Sequence, residues 1–116
     1  MNYMEYFQDN ELNISKCKIQ FQEALLKAID ESLLVLGVSV KQAIYYYIEH
    51  YYNVKREEIP IKLKEFYEAL KSIFGFGSKI IEKLIVKNLY AILNLNFEEK
   101  ENWNFIEYIE FAKSFL

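Results

Sequence analysis

The side chains best able to do chemistry are few and scattered. His50 is the only histidine and Cys17 the only cysteine. Tetrahedral zinc needs several such ligands, and the chain offers one of each. A di-iron bundle needs Glu-x-x-His pairs on two helices, and the sequence has none. Carboxylates do cluster, at Glu57-Glu58 and Glu98-Glu99-Glu101, but without EF-hand spacing; such runs read as solvated surface. His50 would be the one histidine base, yet no Gly-x-Ser-x-Gly elbow offers it a nucleophile. Lys16 and Lys18 beside Cys17 favour a thiolate, but no second cysteine exists and the histidine is distant in sequence. No catalytic residue, metal or cofactor is therefore expected.

The most informative local motif is Gly75-Phe76-Gly77-Ser78. With Lys79, Lys83 and Lys87 behind it at i, i+4 and i+8, it resembles the helix-hairpin-helix of DNA-binding proteins. There, glycines let the backbone approach a phosphate and amides at the helix start receive it. Bulky Ile81 stands where that motif has a small residue. The plainer reading is a helix stop followed by a helix start, with glycine used for its backbone freedom. No strand precedes these glycines and a third is missing, so they are not a dinucleotide fingerprint.

The second candidate is a tyrosine face. Tyr45, Tyr46 and Tyr52, with Glu49, fall off the main apolar stripe of the second helix. Large aromatic side chains left exposed mark interfaces, because they bury much area at low entropic cost. A homodimer or a protein partner is expected there. The opposite reading is a central helix buried all round. A helix-turn-helix is poorly supported, because the segment from Val40 to Tyr52 carries one Lys, one Glu and no Arg.

The elements that must position these residues follow a helical period. Residues 1–14 form an N-terminal extension or short helix, and residues 15–116 a single helical domain. The first long helix runs from about Ser15 to Leu36, with Phe21, Ala24, Leu25, Ala28, Ile29, Ser32, Leu33 and Leu36 inward. Gly37 stops it. Ser39 caps the second helix, with Gln42 completing a capping box. Its stripe is Val40, Ala43, Ile44, Tyr47, Ile48 and Tyr51, and Asn53 ends it. The third helix runs from about Pro60 to Phe74, with Leu63, Phe66, Tyr67, Leu70, Ile73 and Phe74 inward; the fourth from Ser78 to about Leu93, with Ile81, Leu84, Ile85, Asn88, Leu89 and Ile92 inward; and the fifth from about Trp103 to Phe115, with Phe105, Tyr108, Ile109, Ala112 and Leu116 inward. No segment alternates as a strand. The fold class is all-α, a compact bundle of about five helices with tight Gly-capped corners.

Composition agrees. The chain has 116 residues, 53% of them hydrophobic and 27% charged, which suits one folded domain. Its net charge of -3 argues against general nucleic-acid binding, although residues 62–87 carry a local excess of +3. The apolar window from Leu33 to Val40 is too short to span a membrane, and no secretory signal is visible, so the expected location is cytoplasmic.

The run from Leu36 to Tyr45, then Glu57-Glu58-Ile59-Pro60, Phe66, Leu70, the run from Ile73 to Ser78 and Leu89-Tyr90 resembles a small archaeal domain, the Nitrosopumilus output domain. The resemblance covers about residues 20–115 and rests on cap and core residues. It implies a fold and an archaeal source, and supplies no catalytic residue. The expectation is a non-catalytic helical interaction module, self-associating or binding a protein partner. The alternative is weak nucleic-acid binding through Gly75, Gly77, Ser78, Lys79, Lys83 and Lys87.

Overall fold

A long helix organises the molecule. The computed structural model describes residues 3–116, with side chains from residue 16 onward. Helix α1 spans Tyr3–Leu34, 32 residues without interruption. The expected start near Ser15 is thus no break in the helix. No Gly or Pro lies between residues 3 and 34, and polar residues such as those at 8–13 each cost a helix only about 0.7 kcal/mol or less. From Phe21 onward, α1 buries Ala24, Leu25, Ala28, Ile29, Ser32 and Leu33.

Gly37 turns the chain with φ 106° and ψ 152°, a region closed to other residues. Helix α2, Val38–Tyr52, follows at once. Ser39 falls inside its first turn and caps nothing. Asn53 ends α2 in the left-handed conformation that asparagine tolerates, φ 55°.

The charged segment then coils into a 3-10 turn, Arg56–Ile61, and helix α3 is Leu63–Phe74. Pro60 lies within the 3-10 turn, so it does not open α3. Proline bars the preceding residue from a regular α-helix. Gly75–Gly77 form a second 3-10 turn, and helix α4, Ser78–Ile92, continues. An irregular stretch leads to helix α5, Phe105–Lys113. Asn104 caps α5: its side-chain oxygen accepts from Glu107 N (2.9 Å), and Glu107 Oε1 accepts from Asn104 N (3.1 Å).

Among the described residues there are five α-helices and no strand. Helix α1 packs chiefly on α4, and α3 meets α2, α4 and α5. The core contains Leu25, Ile29, Leu33, Ile48, Phe66, Leu70, Ile85, Leu89 and Ile109. One polar pin crosses it. Asn88 of α4 donates to Ser32 Oγ (2.9 Å), and Ser32 donates to Ala28 O (2.7 Å). Leu36 and Leu116, expected inward, lie beyond their helix ends and are exposed.

Candidate functional site

Helix α2 is rotated relative to the stripe its sequence predicts. Only Ile44 and Ile48 are fully buried. Tyr45 and Tyr52, expected at an interface, are half-buried and pack against the core. Tyr45 is held there because its hydroxyl donates to Asp30 Oδ1 of α1 (2.5 Å). Of the expected interface residues, Tyr46 and Glu49 are exposed, Tyr46 by 69%.

Asp30 explains the rotation. Arg56 donates to it from Nε (3.0 Å) and Nη2 (2.5 Å), and Lys41 Nζ stands 3.8 Å away. Partial burial pushes the Asp30 carboxyl up, but the hydrogen bonds from Arg56 and Tyr45 and the charges of Arg56 and Lys41 outweigh it and hold it below its ordinary range. The same environment, burial first and then the bond to Asp30, pushes the Tyr45 hydroxyl up. One carboxylate thus ties α1, α2 and the 3-10 turn together and turns the Tyr45 side of α2 inward. Sequence periodicity weighs side chains by hydropathy and cannot register that a tyrosine hydroxyl has a partly buried acceptor.

The residues displaced outward are those expected to be core. Val40, Ala43, Tyr47 and Tyr51 recur at i, i+3, i+7 and i+11 on the outer side of α2. Val40 is 43% and Tyr51 66% exposed, Ala43 is exposed and Tyr47 half-buried. At the α2–α3 boundary the stripe borders a groove of about 540 Å³ lined by Val40, Ala43, Tyr47, Ser72 and Ile73. The hydroxyls of Tyr47 and Ser72, both lining it, are 3.1 Å apart. The aromatic end is organised: the Tyr47 and Tyr51 ring centres are 4.6 Å apart, His50 meets Tyr51 edge-on at 4.7 Å, and Tyr46 stacks on His50 at 5.7 Å. At the preceding corner Val35 and Val38 are also exposed.

The Gly75–Ser78 turn differs from a phosphate cradle. Gly75 has φ 57° and ψ -129°, whereas Gly77 has an ordinary φ of -71°. Ser78 is buried. Lys83 is ion-paired with Glu99, which holds the Glu99 carboxyl below its usual range. Lys87 lies 5.6 Å from the Phe97 ring centre. Among the described residues, Lys79 is the member of the trio with neither contact. The sequence reading also missed that Phe76 at this turn is 99% exposed.

Among the described residues no three His, Cys, Asp or Glu side chains converge as metal ligands, and no helix is long and apolar enough to cross a membrane. The chain matches no family model, no curated protein and no solved structure.

Proposed function

We propose that the chain is a non-catalytic helical interaction module whose partner is a second copy of itself, paired through the outer face of α2. One observation carries this reading: the stripe tapers. Its N-terminal end is small (Val40, Ala43) and flanks an open groove; its C-terminal end is large and aromatic (Tyr47, Tyr51). Such a taper is complementary to its own antiparallel copy. A two-fold axis through the middle of α2 sets the tyrosines of each copy against the small residues and groove of the other. Tyr51 of one copy is the right size to enter the groove of its mate. The antiparallel arrangement also places opposite helix-dipole ends side by side. A standard interface takes roughly 800 Å² per partner, a small share of a total surface of 7910 Å².

The lysines of α4 support the nucleic-acid reading less well, because Lys83 and Lys87 already have partners within the chain. The resemblance to an output domain is compatible with the same proposal.

Sedimentation equilibrium tests the pairing. The wild type is expected to dimerise reversibly, and Ala43→Glu or Tyr51→Glu to remain monomeric with an unchanged helical circular-dichroism spectrum. A wild type that stays monomeric at high concentration overturns the reading. So does a dimer unaffected by both substitutions.

A further inference from the structure

The fold buries one acidic side chain among the described residues, and it is not part of the α2 surface. Glu82 of α4 is 8% exposed, and its Oε2 has no hydrogen-bond partner. A carboxylate oxygen shut away from water without a donor costs stability unless a cation complements it. Lys79, three residues earlier on the same helix, makes no ion pair with it, and Lys83 is engaged by Glu99.

Glu82 faces space. It lines a cavity of about 420 Å³ between α3, α4, α5 and the stretch before α5. That volume lies within the usual range for small-molecule sites. The other walls are aromatic. Tyr67 stacks on Phe105 with ring centres 5.7 Å apart, Phe97 meets Tyr108 at 5.7 Å, and Trp103 stands edge-on to Tyr108 at 5.3 Å. Two of these rings already hold cations of the chain itself: Lys71 Nζ sits 3.9 Å from the Tyr67 ring centre and Lys87 Nζ 5.6 Å from that of Phe97. A cation of the chain itself thus already stands over each of these two rings, which leaves them to a ligand as apolar wall.

We propose that this cavity binds a small organic ammonium ion with an apolar or aromatic body. A turn of the Glu82 side chain brings its buried carboxylate to the ammonium N–H, and the body lies among Tyr67, Phe97, Trp103 and Phe105. The buried carboxylate selects for charge and for an N–H donor. The ring walls select for the apolar body. The Lys83–Glu99 pair at the rim neutralises a lysine that would otherwise repel the ligand.

Trp103 is the only tryptophan and lines this cavity, so the fluorescence has a single source at its wall. The probe is phenethylamine, with 2-phenylethanol as its uncharged counterpart. Phenethylamine is expected to change Trp103 emission saturably. The alcohol should bind about tenfold or more weakly, as should phenethylamine to Glu82→Gln, the loss that follows removal of one charge-assisted hydrogen bond. Lys79→Gln should bind phenethylamine as well as the wild type or better, and this variant keeps the test decisive if Glu82→Gln fails to fold. No saturable response to phenethylamine overturns the proposal. Equal binding of the alcohol, an unaffected Glu82→Gln variant, or loss of binding in Lys79→Gln overturns it too.

Discussion

Helices α2 and α4 are each 15 residues long, yet the fold uses them differently. Helix α4 is enclosed by α1, α3 and α5 and buries seven residues, from Ser78 to Tyr90. Helix α2 buries Ile44 and Ile48 and is otherwise half-buried or open. Both are rich in apolar residues, so hydropathy does not separate them. The difference is neighbours. Helix α4 runs through the centre of the bundle, whereas α2 packs chiefly on α1 and α3, and Val40, Tyr46 and Tyr51 on its outer side stay exposed. Apolar side chains that a core helix spends inside the chain stay at the surface on α2.

The sharpest way to break that comparison is to truncate one apolar side chain on each helix. Leu89 of α4 is fully buried. Leu89→Ala should cost about 2–5 kcal/mol, from lost burial and the cavity left behind. Val40→Ala on α2 should change monomer stability by less than about 0.5 kcal/mol, as an exposed substitution does. Urea unfolding at low protein concentration measures both. Equal costs would mean that α2 has an intramolecular partner on its outer side.

These two helices also show what was legible in the sequence. The inward faces of α1, α3 and α4 followed from periodicity, because each has a wide apolar stripe opposite charge. Phe21 to Leu33 on α1, Phe66 and Leu70 on α3, and Ile81, Ile85 and Leu89 on α4 are buried as expected. Helix α2 has apolar residues on nearly every side, so its orientation depended on a polar detail, the Asp30–Tyr45–Arg56 cluster, with partners 15 and 26 residues apart. Glu82 was illegible for a related reason. A glutamate at a helix position normally reads as surface, and its burial comes from tertiary packing around α4 that hydropathy does not report. The glycine turn was half legible: composition marks the corner but not which glycine needs its freedom.

The two glycines of the corner before α4 separate that need. Gly75→Val should destabilise by about 1–3 kcal/mol, because a side chain is strained at φ 57° and ψ -129° even though open space surrounds the position. Gly77→Ala should be neutral or stabilising by about 0.4–1 kcal/mol, since its φ of -71° suits alanine and removing glycine reduces the entropy of the unfolded chain. Thermal melts of the two variants should therefore move in different directions. A matching loss in both would place a positive φ at Gly77 as well.

The anchors of the two helices differ in kind as well. Helix α4 is pinned to α1 by the Asn88–Ser32 hydrogen bond inside the core. Asn88→Ala should cost about 0.5–1.5 kcal/mol, the usual net worth of such a bond. Combining it with Ser32→Ala should cost less than the two single losses added together, because the residues share one interaction. Strict additivity in a double-mutant cycle would show that the pin contributes nothing.

Helix α2 is anchored instead by Asp30, whose carboxyl and its Arg56 partner remain partly open to solvent. Its effect should be the smallest and should depend on pH. Folding lowers the Asp30 pKa below its ordinary 3.8. The charged form is therefore favoured in the folded state. Its contribution is complete above the unfolded value and is lost as the pH falls through the lower folded one. Solvent and salt screen such a pair, so the contribution should stay below about 1 kcal/mol. Glu58 and Glu99 are shifted in the same direction, so acid weakens the whole protein. The part owed to Asp30 is the difference in acid dependence between the wild type and Asp30→Asn. That difference should be matched by earlier loss of amide protection in α2 than in α4 as the pH is lowered. Identical acid profiles would mean that packing of Ile44 and Ile48 alone sets the rotation of α2. The outward position of Val40, Ala43, Tyr47 and Tyr51 would then be independent of charge.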